Sequence, residues 1–138
     1  MIDQYIEFFE TLQKDTPKEK YKQIFHENIR FKDPFHDINS LEKLYSIFQN
    51  MFTKLNYSKF KVTETIQEKD ISYIKWSFYF KSSKTEQIQS FEGVSRVEFK
   101  NNKAISHIDY WDSSEVVYEK IPIIKIFIKL IKNKIRGS

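Results

Sequence analysis

The chain is predicted to be an α+β domain in which helices precede an antiparallel meander. Three observations predict it. Apolar residues recur at three- and four-residue steps through the first half, and beyond Leu55 the period changes to two. Polar turn residues then separate the period-two runs at short intervals. Helices ahead of a meander pack on one concave face of the sheet it forms.

Ile2, Tyr5, Ile6, Phe9 and Leu12 lie on one face of an amphipathic first helix. Thr16-Pro17-Lys18-Glu19 reads as a fresh start: Thr16 caps, Pro17 takes the first helical position, and Glu19 reaches back as in a capping box. Tyr21, Ile24 and Phe25 give that helix its buried side. Residues 29–33 alternate and predict a short strand stopped by Pro34, which has no N–H for a ladder. Asn39 with Glu42 opens the third helix, whose stripe runs through Leu41, Leu44, Tyr45, Phe48, Met51, Phe52 and Leu55.

The period-two half begins with Phe60, Val62 and Ile66 alternating with Lys61, Thr63 and Gln67, and Lys69-Asp70 makes a turn. Ile74, Trp76, Phe78 and Phe80 form one face of the next strand, with Lys75, Ser77 and Tyr79 on the other. Residues 82–86 are a polar loop and 88–99 a long strand. Asn101-Asn102 suits a tight hairpin turn that needs positive φ, and residues 104–111 return as the last strand. Asp112-Ser113-Ser114-Glu115 then reads as the capping box of a final helix. Pro122 starts another over 122–136, with Ile124, Phe127, Ile128, Ile131 and Ile135 on one stripe and Lys125, Lys129, Lys132 and Arg136 opposite.

Composition bounds the rest. With 138 residues there is room for one domain, 1–138, around one core. The aromatic share of 17% is high, and such rings line a cavity as well as fill a core. The absence of cysteine excludes disulfides, thiolate metal sites and thiol catalysis. No His-x-x-x-His or comparable spacing supports a zinc site, so neither metal nor cofactor is expected. The net charge of +4 is mild and its lysines are scattered until the last dozen residues, which gives no nucleic-acid footprint. No basic stretch followed by an apolar run opens the chain, and nothing approaches the ~18 apolar residues of a spanning helix. The expected location is the cytoplasm.

Three strings in order carry a family resemblance: Tyr5-Ile6-Glu7, Phe31-Lys32-Asp33-Pro34-Phe35, and His107-Ile108-Asp109-Tyr110-Trp111-Asp112. Together they resemble the nuclear transport factor 2-like superfamily, in its SnoaL-like and ketosteroid-isomerase-like branch. The resemblance implies a cone-shaped curved antiparallel sheet (a cystatin-like roll) with three N-terminal helices enclosing a deep pocket, commonly paired into dimers across the sheet. It also implies a general base at Asp33 and an oxyanion-hole tyrosine at Tyr5. Where ketosteroid isomerases place a protonated Asp as second donor, this sequence has Ser95, a different device. The related limonene-epoxide-hydrolase type resembles this chain at Asp109. Its Arg and second Asp fall near Lys75 and Ser77, so two of its three groups are missing.

Strand parity adds to this. If Trp111 faces the pocket, Asp109, His107 and Ile105 face it too, with Phe91, Gly93, Ser95, Val97 and Phe99 on the same side of the neighbouring strand. Asp33, His107 and Asp109 are therefore the candidate acid–base set, with Tyr5 and Ser95 as donors and Trp111, Phe48, Phe52 and Phe91 as ligand-contacting walls. Simpler readings stand beside these. Asp33 also fits a strand end, and His107 a core histidine bonded to Asp109. The Phe48–Phe52 stripe suits core as well as wall, and His26 and His36 sit at loops.

The function expected is a pocket for a small, largely apolar molecule, either a cofactor-free isomerase, cyclase or hydratase or a binder without turnover. The other class is an interaction or membrane-surface module acting through a dimer face and the 122–136 helix. A homodimer is expected because Trp76, Phe78 and Phe80 suggest a sheet with two apolar faces. The 122–136 helix is expected to pack on the domain or its partner in preference to a membrane.

Overall fold

A computed structural model describes residues 1–82 and 86–113. Helices α1 (Ile2–Glu10) and α2 (Lys18–Ile24) lead into β1 (Phe25–Lys32) and the two-residue β2 (Asp37–Ile38). Helix α3 (Leu41–Thr53) follows, and then β3 (Leu55–Glu68), β4 (Ile71–Ser82), β5 (Gln89–Lys100) and β6 (Lys103–Trp111). The expected succession of helix, helix, strand, helix and four strands is present, with β2 as an addition too short to leave a period in the sequence.

The sheet has the order β2-β1-β6-β5-β4-β3 and is curved and unclosed. Strands β3 to β6 form the antiparallel meander. Strand β1 instead runs parallel to β6, with Phe31 opposite His107 and Lys32 opposite Ile108. The sheet is thus mixed, not antiparallel throughout as expected. Helix α3 carries the chain from β2 at one edge to β3 at the other. Its apolar stripe, with Leu44 and Phe48 buried, covers the inner face on the way. Ile74, Trp76, Phe78 and Phe80 all point to that face and are buried. The premise of a second apolar face built from these rings therefore fails.

Turn chemistry follows the residues. Asn101 and Asn102 have φ of 51° and 64°, and Lys69 has φ 55°, all in the left-handed region. Caps differ from expectation. Pro17 stays extended, so α2 begins at Lys18 and Thr16 Oγ1 accepts from Gln13 N at 2.9 Å, away from the helix. Ser40, not Asn39, caps α3, accepting from Lys43 N at 3.3 Å.

Two register shifts alter the predicted faces. Between Val62 and Glu64 β3 slips against β4, so Thr65 pairs with Ile74 and Ile66 with outward Tyr73. Ile66 is accordingly 62% exposed and does not share the face of Phe60 and Val62. Between Glu98 and Phe99 the β5–β6 ladder shifts likewise. Ala104, opposite Phe99, is buried in place of Ile105. The polar loop at 82–86 lies partly, and the 122–136 helix wholly, outside the described residues, as do Ser114 and Glu115 of the 112–115 capping box.

Candidate functional site

Side chains alternate along β6, so His107, Asp109 and Trp111 project together into the space between sheet and helices. Ser95 on β5 is the register partner of Asp109, and Gly93 that of Trp111. Gly93 also faces Trp76 across β4. A Cβ on Gly93 would meet the Trp76 ring at 2.4 and 2.5 Å, so the bare backbone is what lets the indole lie flat across the strand.

A line of hydrogen bonds results. Trp76 Nε1–H donates to Ser95 Oγ at 2.8 Å, and Ser95 Oγ–H donates to Asp109 Oδ1 at 2.5 Å. His107 Nε2 meets the same Oδ1 at 2.6 Å, and Tyr5 Oη lies 2.6 Å from His107 Nδ1. The proton assignment follows from Tyr5. Its side chain is buried and its hydroxyl proton has Nδ1 as partner, so Nδ1 accepts and Nε2–H donates to the carboxylate. Burial, helped by the charge of Asp109, holds the Tyr5 phenol well above its ordinary pKa, which keeps it a donor. The contacts from Ser95 and His107 to Asp109 both converge on Oδ1. Among the described residues none bonds Oδ2, and Asp109 lines the cavity.

That cavity measures about 80 Å³, well beyond the ~10–15 Å³ a single water needs. Asp33, His107 and Asp109 line it together, as do Tyr5, Ser95, Trp111, Phe48 and Phe91. Phe52 does not. It is buried in the core, and Ile47 and Met51, earlier on α3, reach the cavity in its place. Lys75 is exposed on the opposite face of β4, and Ser77 shares that parity, so neither lines the cavity.

Asp33 has two engagements. It closes the two-residue turn between β1 and β2, where its N–H donates to His36 O at 2.9 Å. Its Oδ1 accepts from the backbone N–H of Phe35 (2.8 Å) and of His36 (2.6 Å). His36 Nδ1 lies 3.0 Å from both carboxylate oxygens. The strand-end reading of Asp33 therefore holds alongside its place at the cavity wall. His36, Trp76 and Gly93 are the site residues sequence reasoning missed as such. A glycine inside a strand was the available signal, since it marks close approach of another group.

The chain belongs to the SnoaL-like domain family, whose profile matches residues 5–107. Among curated proteins no sequence relative matches it. Solved structures place the fold in the nuclear transport factor 2-like, ketosteroid-isomerase-like group. One is a protein of ketosteroid isomerase-like fold from Catenulispora acidiphila in complex with trimethylamine. It is 10% identical, has a TM-score of 0.71, and the match covers 88% of this chain and 93% of that one. A second is TerC co-crystallised with polyporic acid, at 14% identity and TM-score 0.72, covering 88% and 94%. A third is an epoxide hydrolase of limonene-epoxide-hydrolase-like type from M. tuberculosis, at 8% identity and TM-score 0.66, covering 99% and 93%.

Proposed function

We propose that this domain binds a small, largely apolar molecule in the cavity and moves a proton on it without a cofactor, as an isomerase, cyclase or hydratase. The observation that carries this reading is Asp109, with Oδ1 held by Ser95 and His107 and Oδ2 left to an aromatic-walled cavity. Such a carboxylate is oriented before any ligand arrives. Oδ2 takes a proton from the ligand, the bonding pair stays on the ligand, and the proton is returned at another atom. No electrons leave the pair of molecules. His107 positions the carboxylate, Tyr5 fixes the histidine tautomer, and Asp33 is a second acid at the wall. That TerC was crystallised with polyporic acid and the Catenulispora protein with trimethylamine supports small-molecule occupancy of this fold. The same reading makes the protein a cytoplasmic homodimer whose partners are that ligand and a second copy.

The test uses whatever ligand co-purifies, extracted and identified by mass spectrometry. Returned to the protein in deuterium oxide, it should gain deuterium at carbon with the wild type. With Asp109→Asn the rate should fall at least about a hundredfold. Binding without any incorporation by the wild type would leave a binder with no turnover.

A further inference from the structure

The chemical class of the occupant is legible in the charge and the walls of the cavity. The chain carries 23 Lys and Arg and a net charge of +4. Yet among the described residues that line the cavity there are two carboxylates, Asp33 and Asp109, and no Lys or Arg. Asp33 is partly satisfied by two backbone N–H groups and by His36. Asp109 meets Ser95 Oγ and His107 Nε2, and both contacts fall on Oδ1. A carboxylate whose side chain is 15% exposed thus has no Lys or Arg beside it in the cavity. Buried charge is costly unless paired, so the site favours an occupant that supplies the positive charge.

The walls point the same way. Phe60 packs against Trp76 with ring centroids 5.7 Å apart, Trp76 against Phe91 at 5.8 Å, and Phe91 against Trp111 at 5.0 Å. All four line the cavity, and successive rings are inclined to one another by 84°, 73° and 40°. Aromatic faces carry negative potential and attract a cation whose hydration is weak, while an anion is repelled.

We propose that the cavity takes an apolar amine in cationic form, tertiary and protonated or quaternary, with its nitrogen near Asp109 Oδ2 and its carbon substituents against the rings. This rests on the cavity being a ligand site, and deepens that reading by naming the ligand's class.

The experiment compares trimethyl(phenyl)ammonium with its uncharged isostere tert-butylbenzene and with benzoate. The chain has two tryptophans, Trp76 and Trp111, and both line the cavity, so emission excited selectively from tryptophan reports on this site. The ammonium probe should bind at least about tenfold tighter than tert-butylbenzene, and benzoate should not bind. Asp109→Asn should erase the preference while tert-butylbenzene binds as before. Equal or tighter binding of tert-butylbenzene by the wild type overturns the cationic class and leaves the pocket reading intact. Failure of all three probes to change the fluorescence brings down the pocket reading and this inference with it. The wild-type comparison decides the matter even if the variant fails to fold.

Discussion

Gly93 and Tyr5 show how single residues hold the site. At Gly93 even a methyl group collides with the Trp76 indole, whose Nε1–H anchors Ser95. Gly93→Ala should displace the ring, break the Trp76–Ser95 bond and cost about 1–3 kcal/mol. A lowered denaturant midpoint with altered tryptophan emission is the expected result. Tyr5 acts through its proton. Its pKa is raised on folding, so its contribution to stability is complete below pH 10, the unfolded value, and is lost as pH climbs toward the folded value. Buried Tyr21, raised mainly by desolvation, adds in the same sense. Stability of the wild type should therefore fall above about pH 10, and Tyr5→Phe should make that fall shallower. In neutral solution the same variant loses about 1–3 kcal/mol, because Nδ1 of buried His107 loses its Tyr5 partner. Urea titrations across alkaline pH check both signs.

At the scale of elements, periodicity was a good guide until a register shift intervened. The stripe of α3 and the inward set of β5 are legible because nothing interrupts their periods. Ile66 and Ile105 were misplaced because the first lies beyond a slip in the ladder and the second at one, and a slip leaves no mark in hydrophobicity. His107, Asp109 and Trp111 were legible as one set because no slip falls among them. The bonds that join this set to Tyr5, Ser95 and Trp76 were not, since they depend on how far α1 and β4 stand from β6. The slip in β3 has its own support: Glu10 Oε2, at the end of α1, accepts from Val62 N at 2.9 Å. As β3 is an edge strand, that N–H has no ladder partner on its open side. Glu10→Ala should cost about 1 kcal/mol. Hydrogen exchange at Val62 should quicken while β5 amides keep their protection.

For the whole molecule, the outer face of the sheet bears on self-association. Across β3 to β6 it carries the row Ile66, Tyr73, Arg96 and Ile108, each opposite the next. Beside it run Lys75, Val94 and Tyr110. Ile66, Tyr73 and Tyr110 are 62%, 46% and 57% exposed, a mixed apolar and cationic surface of the kind that pairs with a copy of itself. The proposed homodimer should appear in sedimentation at micromolar concentration. Tyr73→Glu should shift it to monomer. A wild type that sediments as a monomer would remove the dimer. No helix among the described residues is long and apolar enough to cross a membrane.

The parallel pairing of β1 with β6 sets a timetable for assembly. Ser95 and Asp109 are 14 residues apart and meet when a hairpin closes, whereas Tyr5 and His107 are separated by 102. Local hairpins form quickly, and contacts that close long loops come later because their entropy must be met first. The carboxylate half of the site thus belongs to an early-forming meander, and the tyrosine that fixes the histidine arrives with the last strand and helix. Stopped-flow chevrons should separate the two. Val97→Ala, in the middle of the meander, should slow folding. Tyr5→Phe should leave the folding limb nearly unchanged and speed unfolding. The reverse pattern would mean that the N-terminal segment nucleates the domain.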